Sequence, residues 1–202
     1  MQKQDSRIDD EPIGEKMRDY VNSYLQDTIE IAKTLNVDDM TKLIELLSDT
    51  KRGGGRIFFA GVGGSAANAS HAVNDFRKIA SIESHSLTEN VAELTARIND
   101  DSWENSLVET LKIFKPQSKD VLFVLSVGGG SQTTSLNLVR VMEYAKLSGM
   151  KLCSIVSRNG GEAKKMSDVC VLVPVVSNER ITPHAEGYQA VIWHCIVNGV
   201  CS

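Results

Sequence analysis

Four residues of this 202-residue chain stand at helical spacings and have the chemistry to move a proton or to hold a metal. His71 and Asp75 are four apart, so they share one face of a helix. Glu186 and His194 are eight apart and also face one way, about 12 Å from each other along a straight helix. Those two could serve a single metal only if both side chains reach inward. Imidazole and carboxylate are the side chains of general acid–base catalysis near neutral pH, and they are zinc ligands. Each pair also has a plainer reading. His71 and Asp75 could be a solvated pair on an ordinary helix, and His194, next to Trp193 in an apolar stretch, could be a core histidine. His85 and His184 read as loop histidines without a role.

A second kind of chemistry sits just ahead of the first pair. The run RIFFAGVGGSAANASHAVND passes from apolar Ile57-Phe58-Phe59-Ala60 into Gly61-Val62-Gly63-Gly64 and then to Ser65, placed as the N-cap of the helix that carries His71 and Asp75. Backbone N–H groups and the helix dipole converge there on an anion. Ser126-Val127-Gly128-Gly129-Gly130-Ser131-Gln132-Thr133-Thr134 repeats the plan and adds hydroxyls. Gly63, Gly64, Ser65, Ser126, Ser131 and Thr133 are the candidate substrate-binding positions. Hydroxyls and amides without a lysine suit one phosphate group, and no G-x-x-x-x-G-K-[ST] occurs. Either turn alone could be a mere tight connection. Gly61-x-Gly63-x-x-Ala66 with Glu83 also has the outline of a dinucleotide fingerprint. That reading leaves the second hydroxyl-rich turn unexplained, so no nucleotide cofactor is expected.

The elements that must position these residues alternate. Strands are predicted over residues 57–60, 84–87, 121–125, 152–156 and 169–173, and helices over 91–98, 104–114, 135–147, 159–166 and 183–200. Asn99-Asp100-Asp101-Ser102 reads as a loop before Trp103. The runs 57–60 and 121–125 lack polar alternation, as strands buried on both faces do. The pattern implies an α/β fold with a five-stranded parallel sheet and helices on both faces. Two amphipathic helices, over 13–35 and from Val37, precede the first strand. They have no place as crossovers and are expected at a subunit contact. Residues 1–12 are expected to be a flexible terminus, and 13–202 one domain.

Composition excludes several classes. A net charge of −4 with mixed signs argues against nucleic acid or a membrane surface as partner. No apolar run reaches the roughly 20 residues of a bilayer span, and MQKQDSRIDDE is too polar for a signal peptide. Cys153, Cys170, Cys195 and Cys201 lack C-x-x-C spacing and are expected as reduced thiols of a cytoplasmic protein, the first three in the core.

GVGGSAANASH, Asn99-Asp100 ahead of Trp103, SVGGGSQTT and a terminal E-x7-H helix occur in that order. Over residues 20–197 the chain resembles sugar isomerase (SIS) domain proteins of the phosphoheptose isomerase branch. The resemblance implies a homotetramer in which neighbouring subunits complete each active site. It also implies conversion of sedoheptulose 7-phosphate into a heptose 7-phosphate for surface polysaccharide. Position by position, Ser65, Ser126 and Ser131 match phosphate-binding serines and Asp100 a residue that touches substrate. His71 matches a zinc-binding histidine, and His194 one that is both ligand and acid–base group. Asp75 falls where the family has a glutamate base, and Glu186 where it has a glutamine ligand. His71, Asp75, Glu186 and His194 would thus form a zinc set, with Asp75 and His194 catalytic. Val62 replaces an asparagine, and Val127 and Gly128 replace residues with hydroxyls. Those departures leave open a second expectation, a non-catalytic phosphosugar-binding regulatory or assembly protein on the same fold.

Overall fold

Five short runs pair side by side into one parallel sheet: β1 (Ile57–Ala60), β2 (Ser84–Ser86), β3 (Val121–Leu125), β4 (Lys151–Val156) and β5 (Val169–Leu172). Their order is β2-β1-β3-β4-β5. The structure is a computed structural model, and it describes residues 13–202; the flexible terminus expected over 1–12 lies outside the described residues. Register runs Ile57↔Val121, Val121↔Lys151 and Cys153↔Val169 across the centre. The two-residue period of a strand sorts the core. Ile57, Phe59, Val121, Phe123, Cys153 and Ile155 face one apolar cluster, and Phe58, Ala60, Leu122, Val124, Leu152 and Val156 face the other. Both faces are covered, so β1 and β3 are buried at every position, as their uninterrupted apolar runs require.

Helices α1 (Ile13–Thr34), α2 (Val37–Arg52), α3 (Gly64–Lys78) and α8 (Ile181–Gly199) accompany the first face. Helices α5 (Ser106–Ile113), α6 (Leu136–Leu147) and α7 (Gly161–Met166) cover the second, and α4 (Val91–Asp100) packs on α5. Helix α2 starts where Asn36 accepts the amides of Asp38 and Asp39. Helix α1 is tied down mainly on its inner side. The Tyr188 hydroxyl donates to the Thr28 carbonyl, and Arg180 donates to Asp27 at 2.8 Å. Its outer stripe of Ile13, Met17, Tyr20, Val21, Leu25 and Ile29 stays exposed.

Several local expectations change. Ser65 is not the N-cap of α3; the helix already begins at Gly64, because Gly63 turns the chain at φ 63° one residue earlier. Asn99 and Asp100 are the last turn of α4 rather than a loop. His184 lies buried on α8, its ring tilted against Tyr24 and 3.4 Å from Asp27, because the helix starts two residues before Pro183. His85 sits in β2 between Phe58 and Phe114. Of the thiols expected in the core only Cys153 is buried; Cys170 is half-buried, while Cys195 points outward from α8 and Cys201 is also exposed.

The amino end of the sheet is pinned by charge. Asp120, fully buried just before β3, accepts from the Arg56 side chain at 2.7 Å and from the amides of Arg56 and Gln117. Burial on its own pushes the Asp120 carboxyl up, but the Arg56 guanidinium and the two amides outweigh it and hold it below the ordinary carboxylate range. A depressed folded value means stability that is present above the unfolded pKa, about 4, and lost as pH falls through the folded one. Asp120→Asn is therefore expected to lose about 3 kcal/mol in urea unfolding at pH 7. The gap to the parent should narrow below about pH 4. Equal midpoints at pH 7, or a gap that ignores pH, would contradict this role.

Candidate active site

In the strand order 2-1-3-4-5 the crossovers leave to opposite sides at β1 and β3, and ligands of such sheets sit beyond the carboxyl ends at that switch point. A cavity of ≈ 600 Å³ opens there. Ser65 follows β1, Ser126 and Ser131 follow β3, and Arg158 follows β4; Thr182 and Glu186 close the cavity from α8. Helices α3, α6 and α8 all begin at its wall, where Ser65, Ser135 and Thr182 line it, so three positive helix ends meet at one place.

The serines expected to bind phosphate are brought together, and each hydroxyl oxygen is already engaged. Ser126 accepts the Gly129 amide at 3.0 Å. Ser131 accepts the amides of Thr133 and Thr134 at 3.3 and 3.1 Å. Ser65 accepts from Gln189 at 3.0 Å. Thr133 does not reach the cavity; its hydroxyl lies 3.3 Å from Ser131, and Thr134 lines the wall instead. Gly63 caps α3, and Gly64 leaves the space that the Glu186 carboxylate fills, since a Cβ there would collide with it. Asp100 is exposed at the end of α4 and does not line the cavity.

A second group lies farther along the same two helices. The Nε2 of His71 and the Nε2 of His194 stand 3.9 and 3.6 Å from Asp75 Oδ2. One ligand atom from each of the three lies within 4.8 Å of the other two. His194 is half-exposed, not buried as its apolar helix led one to expect, and Trp193 stacks on it while meeting His71 edge-on. The Nδ1–H of His194 donates to the Ala190 carbonyl at 2.7 Å, so Nε2 is the ring nitrogen that faces Asp75. A backbone carbonyl behind a histidine is the usual support of a metal ligand, and two imidazoles with one carboxylate fit zinc chemistry. Glu186 does not join this group. Two helical turns separate it from His194, and its carboxylate lies on Gly64 at the cavity.

The cavity and the histidine group share one seam, because α3 and α8 run in the same direction. Gly64 meets Glu186, Asn68 donates to the Glu186 carbonyl and to Gln189 at 2.9 Å each, and His71 meets Trp193 and His194. Gly64, Asn68, His71 and Asp75 are spaced four, three and four apart, so one stripe of α3 makes every contact. Sequence reasoning missed Asn68, Gln189 and Arg158. Arg158 could have been found from Ser157-Arg158-Asn159-Gly160, a third turn after an apolar strand; its φ of 56° is a strained value for arginine. Among the described residues no helix is long and apolar enough to cross a membrane.

The SIS domain family model matches residues 19–157, more than half of the chain. The phosphoheptose isomerase of Sulfurimonas denitrificans is 31% identical over 179 residues, covering 82% of this chain and 87% of its own. That of Aneurinibacillus thermoaerophilus is 27% identical over 190 residues, with 89% and 91% covered. A solved phosphoheptose isomerase from Francisella tularensis superposes with a TM-score of 0.80 over 94% of this chain and 98% of that one; at 21% identity this speaks for the fold. With its five-stranded parallel sheet, its two glycine turns and this match along its length, the chain belongs to the SIS domain family.

Proposed function

We propose that the protein is an aldose–ketose isomerase acting on a phosphorylated sugar, with sedoheptulose 7-phosphate as substrate and a heptose 7-phosphate as product. The observation that carries the reading is the shared seam, which has an anion cradle at one end and a titratable cluster at the other. His71 lies seven residues beyond Gly64, about 10 Å along α3. With C–C bonds of about 1.5 Å, an extended seven-carbon sugar spans about 9 Å from phosphorus to C2. The phosphate is held by Ser65, Ser126, Ser131 and the helix ends, with Arg158 as the cation at the wall.

At the far end the Nε2 lone pair of His194, or the Asp75 carboxylate beside it, takes the proton from the carbon next to the carbonyl. The C–H electrons form the carbon–carbon double bond of an enediol as the carbonyl oxygen gains a proton. Return of the abstracted proton to the former carbonyl carbon, as the other enediol hydroxyl gives up its proton and becomes the new carbonyl, completes the exchange of aldose and ketose. Zinc held by His71, Asp75 and His194 would supply polarisation of the carbonyl; it would occupy the His194 lone pair and leave the second carboxylate oxygen of Asp75 as the base. The regulatory alternative has less support, because a binding protein has no need of three ligating groups gathered beside the cradle.

The exposed apolar stripe of α1 and the position of Asp100 outside its own cavity support a homo-oligomer, a tetramer by family resemblance, in which Asp100 serves a neighbour's site. Free thiols, two of them exposed, agree with a reducing cytoplasm. We read residues 13–202 as the whole SIS unit, with α1 and α2 as its assembly helices.

The protein is expected to convert sedoheptulose 7-phosphate into an aldose phosphate, and His194→Gln to lower the rate by about 10²–10⁴ with the fold and phosphate affinity intact. Retained activity in that variant would leave His194 a structural residue. Titration with zinc is expected to saturate at one ion per chain and to weaken at least tenfold in His71→Ala. Binding indifferent to that change would place the metal elsewhere. Sedimentation as a stable monomer at micromolar concentration would refute the shared site.

A further inference from the structure

Gln189 is fully buried on α8, and its side chain connects the helix seam to the cavity. The orientation of its amide follows from a backbone group. The Glu186 carbonyl can only accept, so the atom of Asn68 that meets it at 2.9 Å is the amide nitrogen. That nitrogen also donates to Gln189 at 2.9 Å, which makes the atom it meets the glutamine oxygen. The Gln189 nitrogen is then the atom left facing Ser65, at 3.0 Å. An amide N–H cannot accept, so the Ser65 oxygen is the acceptor and its one proton is free for another partner.

We propose that Gln189 is a positioning residue that turns the Ser65 hydroxyl proton into the cavity, so that the cradle presents donors and selects the fully deprotonated, acceptor-only form of a phosphate group. The inference rests on the reading that phosphate binds at Ser65. Ser126 repeats the device, its oxygen held by the Gly129 amide at 3.0 Å and its proton released. Ser131 accepts the amides of Thr133 and Thr134 in the same way, with the Thr133 hydroxyl 3.3 Å away as a second partner for its oxygen or its proton. Hydroxyls locked from behind by N–H groups, as at Ser65 and Ser126, would fit sulfate or dianionic phosphate and would fit a protonated monoanion less well. At Ser126 and Ser131 the backbone supplies the lock, whereas at Ser65 a side chain does, so the device can be removed there by substitution.

The test is calorimetric titration of the full-length protein with sulfate, which stays a dianion from pH 5.5 to 8, for the parent, Ser65→Ala, Gln189→Met and the double variant. Ser65→Ala is expected to weaken sulfate about tenfold or more. Gln189→Met, which keeps the volume and drops the amide, is expected to weaken it several-fold in the parent and not at all once Ser65 is alanine. Gln189→Glu supplies a readout that packing alone would not move. Ionised at pH 8, the new carboxylate accepts a hydrogen bond from the Ser65 O–H, which turns it away from the cavity, and binding falls. At pH 5.5 the buried carboxyl is protonated, can donate again, and sulfate binds more tightly than to Gln189→Met. Parental affinity in Gln189→Met, an equal loss in both Ser65 backgrounds, or equal binding by the Glu and Met variants at pH 5.5 would overturn the positioning role. An unchanged affinity in Ser65→Ala would instead overturn phosphate binding at Ser65 itself.

Discussion

The structure depends most on how α3 and α8 are keyed together. Asn68 holds the Glu186 carbonyl and Gln189, and Gln189 holds Ser65. These groups are buried or half-buried, where an unmade hydrogen bond costs about 1–3 kcal/mol, so sliding one helix past the other is resisted at several points. The same lock fixes two distances at once. It sets Ser65 at the cavity wall, and it sets His194 against Asp75 and His71 farther along.

The rest of the molecule delivers this pair of helices to the right end of the sheet. Parallel strands place the turns at Gly61–Gly64, Gly128–Gly130 and Gly160–Gly161 at their carboxyl ends, and the reversal at β1 and β3 opens the space between turns. Charge is then supplied mostly by dipoles. Helices α3, α6 and α8 start at the cavity, and Arg158 and Glu186 are the charged side chains on its wall. In the proposed reading, such a lining would hold one phosphate without a lysine. It also gives Glu186 a different part from a metal ligand, since its carboxylate stands among groups that otherwise attract anions.

Much of this was legible in the sequence, for identifiable reasons. Apolar runs such as Val121–Leu125 have no alternation because both faces are covered, and glycine turns followed by Ser65 and Ser131 mark helix starts behind strands. His71 and Asp75 are local, four residues apart on one helix, so spacing alone paired them. What stayed hidden depends on contacts distant in the chain. Gln189 and Asn68 look like ordinary polar residues on amphipathic helices until α8 packs on α3, 121 residues apart. Glu186 and His194 share a helix face, yet two turns of rise send one to the cavity and the other to Asp75. The cap of α3 falls two residues before Ser65, at Gly63, because a glycine at positive φ can end a turn earlier than a capping serine would.

The central claim is that the cradle and the histidine cluster act on one sugar phosphate through removal of a carbon-bound proton. Incubation of the protein with sedoheptulose 7-phosphate in D₂O, followed by proton NMR, reads that step directly even when little product accumulates. The account predicts that deuterium replaces hydrogen on the carbon next to the carbonyl, at a rate that falls when either Ser65 or His194 is substituted. A substrate that binds in the cavity and keeps its proton, in this sugar and in shorter ketose phosphates, would contradict it.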